Sequence, residues 1–153
     1  MDPFVIAVSR DDPKNTLWAW PAAGSTLDRS LYEAVVDIAV VPVSGCGTEG
    51  YVYVAGCIVG PGAMTRTCLQ PYLDSDKRAF VARLDLSTGA EDVVLAYQPQ
   101  DTMTGLFLPT AIDADVDGAW IAFNLQGNAD VPGIGVIAGG QGTVEGKLIR
   151  FSP

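Results

Sequence analysis

The chain of 153 residues contains no histidine. Imidazole is the usual general base of serine triads and cysteine dyads, and it is a common ligand of zinc. Those classes of enzyme, together with most zinc sites, are therefore excluded.

Basic residues are also scarce, with 9 Lys and Arg against 18 Asp and Glu and a net charge of -9 at pH 7. Phosphate backbones and anionic lipid surfaces would repel such a chain, so nucleic acid is not expected as a partner. No apolar run reaches the roughly 18 residues that span a bilayer. The start MDPFVIAVSRDD lacks the basic region that precedes the apolar part of a signal peptide. We therefore expect a soluble chain that does not insert into membranes.

Apolar residues make up 48% of the sequence, which is enough to build the core of one domain. They occur as short runs of β-branched and aromatic residues with turn residues between the runs, a pattern typical of strands. The sequence therefore predicts an all-β chain. The predicted strands are residues 4–9, 16–20, 34–41, 51–57, 78–86, 93–97, 110–114, 119–124 and 147–151.

Two segments depart from this pattern. Residues 28–34 could form barely two turns of helix, because Leu27, Leu31 and Ala34 would share one face. The glycine-rich segment 127–146 is expected to be mostly loop, with at most a short strand over residues 133–138.

An internal repeat runs through the chain, and it keeps both the order and the spacing of its strands. The hairpin FVIAVS (4–9) and LWAW (17–20) is similar to FVARLD (80–85) and VLAY (94–97). The hairpin IAV (38–40) and GYVYVAG (50–56) is similar to IDA (112–114) and GAWIAFN (118–124). The last segment, LIRFS (148–152), is similar to VARLD (81–85). One unit therefore contains four strands, which we label a to d.

In these labels residues 1–20 supply strands c-d, residues 34–97 supply a-b-c-d and residues 109–153 supply a-b-c. Antiparallel four-strand units in series are typical of β-propeller blades. The sequence thus predicts one complete blade and two partial blades within a single all-β domain or propeller segment. The alternative is a small β-sandwich or barrel.

The middle unit resembles a known family. DIAVVP, GYVYVAG and AFVARLDLSTGA are similar to the SBBP repeat of seven-bladed propellers, which runs IAVD, GNVYVAG, a loop, and FVAKLD with a Ser-Gly or Thr-Gly turn. The resemblance is good over residues 37–97 and weaker over residues 110–151, and Val41-Pro42 stands where the family favours Asp. It implies a bladed β-sheet protein of a kind that is often extracellular or associated with the cell envelope, and it offers no catalytic residues that could be carried over to this chain.

A propeller closes with roughly 4 to 8 blades, so this chain has too few. Open sheet edges expose unpaired N–H and C=O groups, which natural proteins close or cover. We therefore expect the missing strands to come from the rest of a longer polypeptide or from other copies, in a ring of about three chains. The predicted function is that of a non-enzymatic binding, structural or assembly module, with a protein or glycan as a further ligand.

The sharpest local motif is Asp113-x-Asp115-x-Asp117-Gly118, which has the spacing that opens a calcium loop. The twelfth position of that loop is Asn124, where a bidentate Glu is expected. The alternative is a hairpin turn with solvated carboxylates. The rival function is a propeller-type glycan hydrolase or lyase that uses the same three carboxylates, two of which would have to flank a bound sugar.

Three cysteines, Cys46, Cys57 and Cys68, are spaced 11 residues apart. If Cys46 lies in a hairpin loop and Cys57 at the far end of the next strand, roughly 20 Å separate them, which is beyond the reach of a disulfide. Cys57 with Cys68 is therefore the predicted bridge. Three free thiols in a reducing compartment are the alternative.

Two further features concern side chains that recur or share a face. Trp18 and Trp20 lie on one face of a strand, where they could form the sugar platform of a glycan-binding lectin or pack between blades. Arg83 and Arg150 occupy the same position of the repeat. We expect each to form a structural ion pair with a neighbouring acidic side chain.

Overall fold

A computed structural model describes residues 4–21, 32–43, 49–59, 77–99, 106–131, 133–140 and 142–152. These residues form strands and no helix, so the all-β prediction is confirmed. The strands are β1 (Phe4–Val8), β2 (Thr16–Pro21), β3 (Tyr32–Pro42), β4 (Gly50–Val59), β5 (Lys77–Asp85), β6 (Glu91–Pro99), β7 (Leu106–Asp115), β8 (Gly118–Gln126), β9 (Asn128–Val131), β10 (Gly135–Ala138) and β11 (Glu145–Phe151).

The strands form three antiparallel sheets. β1 and β2 make a hairpin, a central sheet has the order β10-β9-β6-β5-β4-β3, and a three-stranded sheet has the order β11-β8-β7. Strands β3 to β6 are neighbours in chain order, as expected for residues 34–97. The hairpin β9-β10 extends the central sheet because β9 pairs with the outer edge of β6.

The structure corrects two predictions. The helix predicted over residues 28–34 is wrong in its described part, because Tyr32 to Ala34 belong to β3 and pair with β4; residues 28–31 lie outside the described residues. A two-turn helix gains few hydrogen bonds of its own, so the ladder with β4 prevails. The sequence predicts loop where the structure has β9, so this part of the prediction is wrong. The short strand expected over residues 133–138 is confirmed, because β10 lies within that range.

Two apolar clusters hold the three sheets together. The first lies between the central and the three-stranded sheet and includes Tyr53, Val81 and Ile121. The second lies between the central sheet and the β1-β2 hairpin and includes Trp20 and Phe80. The central sheet therefore has another sheet packed against each of its faces, while, among the described residues, each of the other two sheets has a neighbouring sheet on one face.

β-Bulges occur at matching places in the sheets. Val36 of β3 is bulged against β4, and Thr110 of β7 is bulged against β8, 74 residues further along. Ile38 and Ile112, which the repeat matched, are also 74 residues apart. Leu17 of β2 and Asp92 of β6 are bulged in the same way against β1 and β5. Each bulge thus recurs one repeat later.

The ladder register refines the sequence repeat. Tyr53 lies opposite Arg83, and Trp120 lies opposite Arg150, so Tyr53 corresponds to Trp120. The sequence comparison had paired these two strands one residue out of step. The bulges likewise match Leu17 with Asp92, whereas the sequence comparison had matched Leu17 with Val94.

Candidate functional site

The three aspartates of the predicted calcium loop lie at the β7-β8 hairpin turn, and all three are exposed. Asp115 Oδ1 accepts a hydrogen bond from the backbone N of Asp117 over 2.8 Å, and Asp113 Oδ1 accepts one from Ala114 N over 2.9 Å. Across the described ranges, no group of three or more Asp, Glu, Cys or His side chains is arranged to hold a metal ion. The geometry is that of a hairpin turn, the alternative considered above.

Glycine is required at the end of this turn. Gly118 has φ +144°, and a Cβ placed there would collide with the carbonyl oxygen of Phe151. The turn therefore fits against the end of β11 only because Gly118 has no side chain.

Cys57 is buried in β4 and forms a disulfide. Cys46 and Cys68 lie outside the described residues. The pairing of Cys57 with Cys68 therefore stays a prediction, which disulfide mapping of proteolytic peptides by mass spectrometry would check.

Both tryptophans of β2 are engaged inside the protein. Trp20 is 4% exposed, its Nε1 donates to Glu91 Oε2 over 2.9 Å, and its ring lies 6.4 Å from that of Phe80. Trp18 Nε1 donates to the carbonyl oxygen of Leu86 over 2.8 Å. The two side chains thus pack the β1-β2 hairpin against the central sheet and do not form an open platform for a sugar.

Arg83 forms the ion pair that the sequence predicted, and its partner is Asp92. The guanidinium lies 4.5 Å from the centre of the Tyr51 ring, on the side of the central sheet that faces β7-β8-β11. Burial lowers the pKa of Arg83, but hydrogen bonds to Tyr53 and Asp92 outweigh that effect and raise it. Arg83 is thus a charged structural element of the sheet.

A recess of about 380 Å³ opens at the β5-β6 end of the central sheet. Its carboxylates already have structural partners. Asp85 Oδ1 accepts hydrogen bonds from Ser87 Oγ at 2.6 Å and from Thr88 Oγ1 at 2.8 Å, which lower the pKa of Asp85. The lining residues are Tyr51, Asp85, Thr88, Ala90, Glu91 and Asp92.

Among the described residues, the two ends of the stack have no sheet against them. The first outer face, on β1, consists of Ile6 and Val8, which are 46% and 48% exposed. Ile38 and Val40 are exposed as well, but they lie on β3 of the central sheet, on the side that carries Val52 and Val54, beside the β1-β2 hairpin. The second outer face, on β8 and β11, consists of Trp120, Leu148 and Arg150, with Trp120 at 42% and Leu148 at 64%. Large apolar side chains grouped in this way typically mark interaction sites. Sequence reasoning did not identify these faces, because alternation along a strand does not show which face lacks a neighbour.

The edge of β11 is open as well. Among the described residues β11 pairs with β8 alone, whereas β5 pairs with β4 on one side and with β6 on the other. Within the part of the chain that the structure describes, the backbone groups along the free side of Glu145–Phe151 are therefore open to a further strand.

Comparison of the chain with protein-family models, with curated proteins and with solved structures returns no match. In the described part of the chain, no helix is long and apolar enough to cross a membrane.

Proposed function

We propose that the chain is a non-enzymatic assembly module made of successive β-propeller-type blades. Its outer faces are completed by the sheets of other copies of the chain, and its open edge takes a further strand. The observation that carries this proposal is the pair of uncovered apolar faces at the two ends of the stack.

The recurring bulges support the blade interpretation. In these terms β1-β2 is strands c-d, β3 to β6 is a-b-c-d, and β7, β8 and β11 are a-b-c. Bulges recur in strand a and in strand d, and an aromatic residue of strand b lies opposite an arginine of strand c in two units. Bulges are positional features of a fold, so their recurrence favours one unit used several times. The SBBP resemblance fits this interpretation.

The correspondence also indicates how the outer faces meet. Trp120 and Arg150 of the second outer face correspond to Tyr53 and Arg83, which point toward the next sheet of the chain. Val8 of the first outer face corresponds to Leu84, which points toward the preceding sheet. The second outer face of one unit therefore suits the first outer face of the next, and copies would associate head to tail.

The disulfide of Cys57 supports the extracellular or cell-envelope location that the sequence suggested. Disulfides persist in oxidising compartments and are rare where thiols are kept reduced. No observation among the described residues favours the glycan-binding or glycan-cleaving alternatives over the assembly role.

Analytical ultracentrifugation of the purified chain at micromolar concentrations tests the proposal. We expect particles whose mass is an integral multiple of 16.1 kDa. Val8→Glu and Leu148→Glu, one on each outer face, should return the particle to the single-chain mass. Ile134→Glu is the matched control, because Ile134 is equally exposed but lies in the β9-β10 turn. A single-chain mass at every concentration, or association that neither face variant weakens, would refute the proposal.

A further inference from the structure

We infer that the open edge of β11 binds an extended strand that places a carboxylate against Arg150. The inference rests on the proposed function, because it uses the correspondence between β11 and β5. It adds the chemistry of the strand that completes the unit.

Strand β5, the counterpart of β11 in the central sheet, shows which partner β11 lacks among the described residues. β6 pairs with β5 and carries a bulge at Asp92, and the Asp92 carboxylate forms an ion pair with Arg83. The Arg83 side chain is 16% exposed, so most of its surface is enclosed by the neighbouring strand and the rings beside it. In this complete unit, the charge of the strand c arginine is therefore paired with an acidic residue at the bulge of strand d.

Arg150 has the first half of this arrangement. It lies opposite Trp120, as Arg83 lies opposite Tyr53, and its guanidinium sits 5.5 Å from the centre of the Trp120 ring. Arg83 also lies over an aromatic ring, but that ring belongs to Tyr51, two residues before Tyr53. Within the described ranges Arg150 has no acidic partner, whereas Lys147 on the same strand is paired with Glu145 at 2.7 Å. The unpaired charge stands beside the open backbone edge. Main-chain hydrogen bonds would supply affinity for an added strand, and the charge would select its register.

The residue at the bulge of strand d determines which strand can pair its charge with Arg150. In β2, the residue that corresponds to Asp92 is Leu17, so β2 of a second copy would bring no carboxylate to Arg150. β6 brings one, and its sequence continues with the apolar run VVLA. The expected partner is therefore an extended strand with an acidic residue at its bulge followed by apolar residues.

The test is an NMR titration of the isotope-labelled full chain with a synthetic peptide, TGAEDVVLAYQP, which copies residues 88–99. The titration is repeated on the full chain with Val8→Glu, so that association of copies does not hide the edge. We expect amide shifts concentrated in residues 145–151. The peptide with D92K, or the chain with Arg150→Glu, should lower the affinity by about tenfold, and the two changes together should restore most of it. Lys147→Gln, which removes a neighbouring positive charge, should leave the affinity nearly unchanged.

Three results would overturn the inference. They are an absence of shifts in β11, binding that ignores the sign of the two charges, or tighter binding of a peptide that copies β2, TLWAWP. All three leave the association of copies through their outer faces intact. Conversely, charge-dependent peptide binding by a chain that never associates would support the strand site and count against the proposed function.

Discussion

Strands β4 and β8 differ in burial much more than in composition. In β4 every residue from Val52 to Cys57 is buried, whereas β8 alternates between buried and exposed positions. Tyr53 of β4 is 1% exposed, and the corresponding Trp120 of β8 is 42% exposed. In the described part of the chain, β4 has a sheet on each side, whereas β8 has a sheet on one side.

This difference shows that the position of a strand in the stack decides its burial. A solvent-facing strand of an antiparallel sheet normally alternates apolar with polar residues. The outer face of β8 and β11 instead carries Trp120 and Leu148, side chains suited to contact with a further sheet.

The largest effect is expected from two neighbouring residues of β11. Ile149 is buried in the first cluster, and Leu148 points outward. Ile149→Ala should lower the free energy of unfolding by about 3 kcal/mol, because it leaves a cavity in the core. Leu148→Ala should change it by about 0.5 kcal/mol or less in the dissociated chain. Urea unfolding at low protein concentration measures the change in free energy for each variant. Equal losses would show that Leu148 and Ile149 are equally buried, and that β11 does not have one covered and one uncovered face.

A second effect concerns the close approach of the β7-β8 turn to β11. Gly118→Ala should lower the free energy of unfolding by about 2 kcal/mol, since the new Cβ meets the Phe151 carbonyl at a positive φ. Gly146→Ala is the control, because a Cβ there has no neighbour within 4 Å and φ is not positive. The control should leave thermal stability unchanged or slightly higher, and a similar loss in both variants would argue against the tight contact.

A third comparison sets the paired arginine against the unpaired one. A double-mutant cycle of Arg83→Gln and Asp92→Asn should give a coupling of about 1 kcal/mol, reduced by salt because Asp92 is half exposed. Arg150→Gln should change the stability of the dissociated chain by about 0.5 kcal/mol or less, because the side chain is exposed and its contact with the Trp120 ring is weak. A coupling of zero at Arg83 would mean that the ion pair does not support the β5-β6 edge.

The smallest effect is a pH dependence at the β5-β6 turn. Hydrogen bonds from Ser87 and Thr88 lower the pKa of Asp85 below its ordinary value of 3.8, so the ionised form favours the folded state. Its contribution is fully present above the ordinary pKa and is lost as the pH falls through the lowered one. Thermal unfolding between about pH 5 and pH 2 should therefore show a steeper decline in the native chain than in Asp85→Asn. Parallel declines would contradict the assigned cause.

Much of the fold could be predicted from the sequence because turn residues separate the strands clearly. Asp117-Gly118 indicates the β7-β8 turn, and the order of β3 to β6 follows from two hairpins and from the four-strand repeat, although the longer segment 60–76 connects β4 to β5. β9 was missed because four residues give too short a pattern beside Gly127 and Gly133. The one-residue error in matching Tyr53 with Trp120 arose because generic strand patterns look alike when shifted, although a shift by one exchanges the two faces.

The candidate sites were predicted less well, for a physical reason. The sequence predicted an ion pair for Arg83, yet its partner Asp92 lies in a bulge, which only the ladder reveals. Trp18 and Trp20 could be placed on one face, but whether that face meets sugar or another sheet depends on how the sheets stack. The outer faces were not predicted, because the exposure of a strand face depends on whether another sheet packs against it, and the sequence pattern of the strand does not show this.

Photo-crosslinking tests the head-to-tail contact most directly. A benzophenone amino acid is placed at position 148 on the second outer face, and a control chain carries it at position 134. Mass spectrometry then identifies the residues joined between copies. The account predicts crosslinks from position 148 to the first outer face of another copy, near Ile6 or Val8. Crosslinks from position 148 to the same face of another copy, or none between copies, would contradict it.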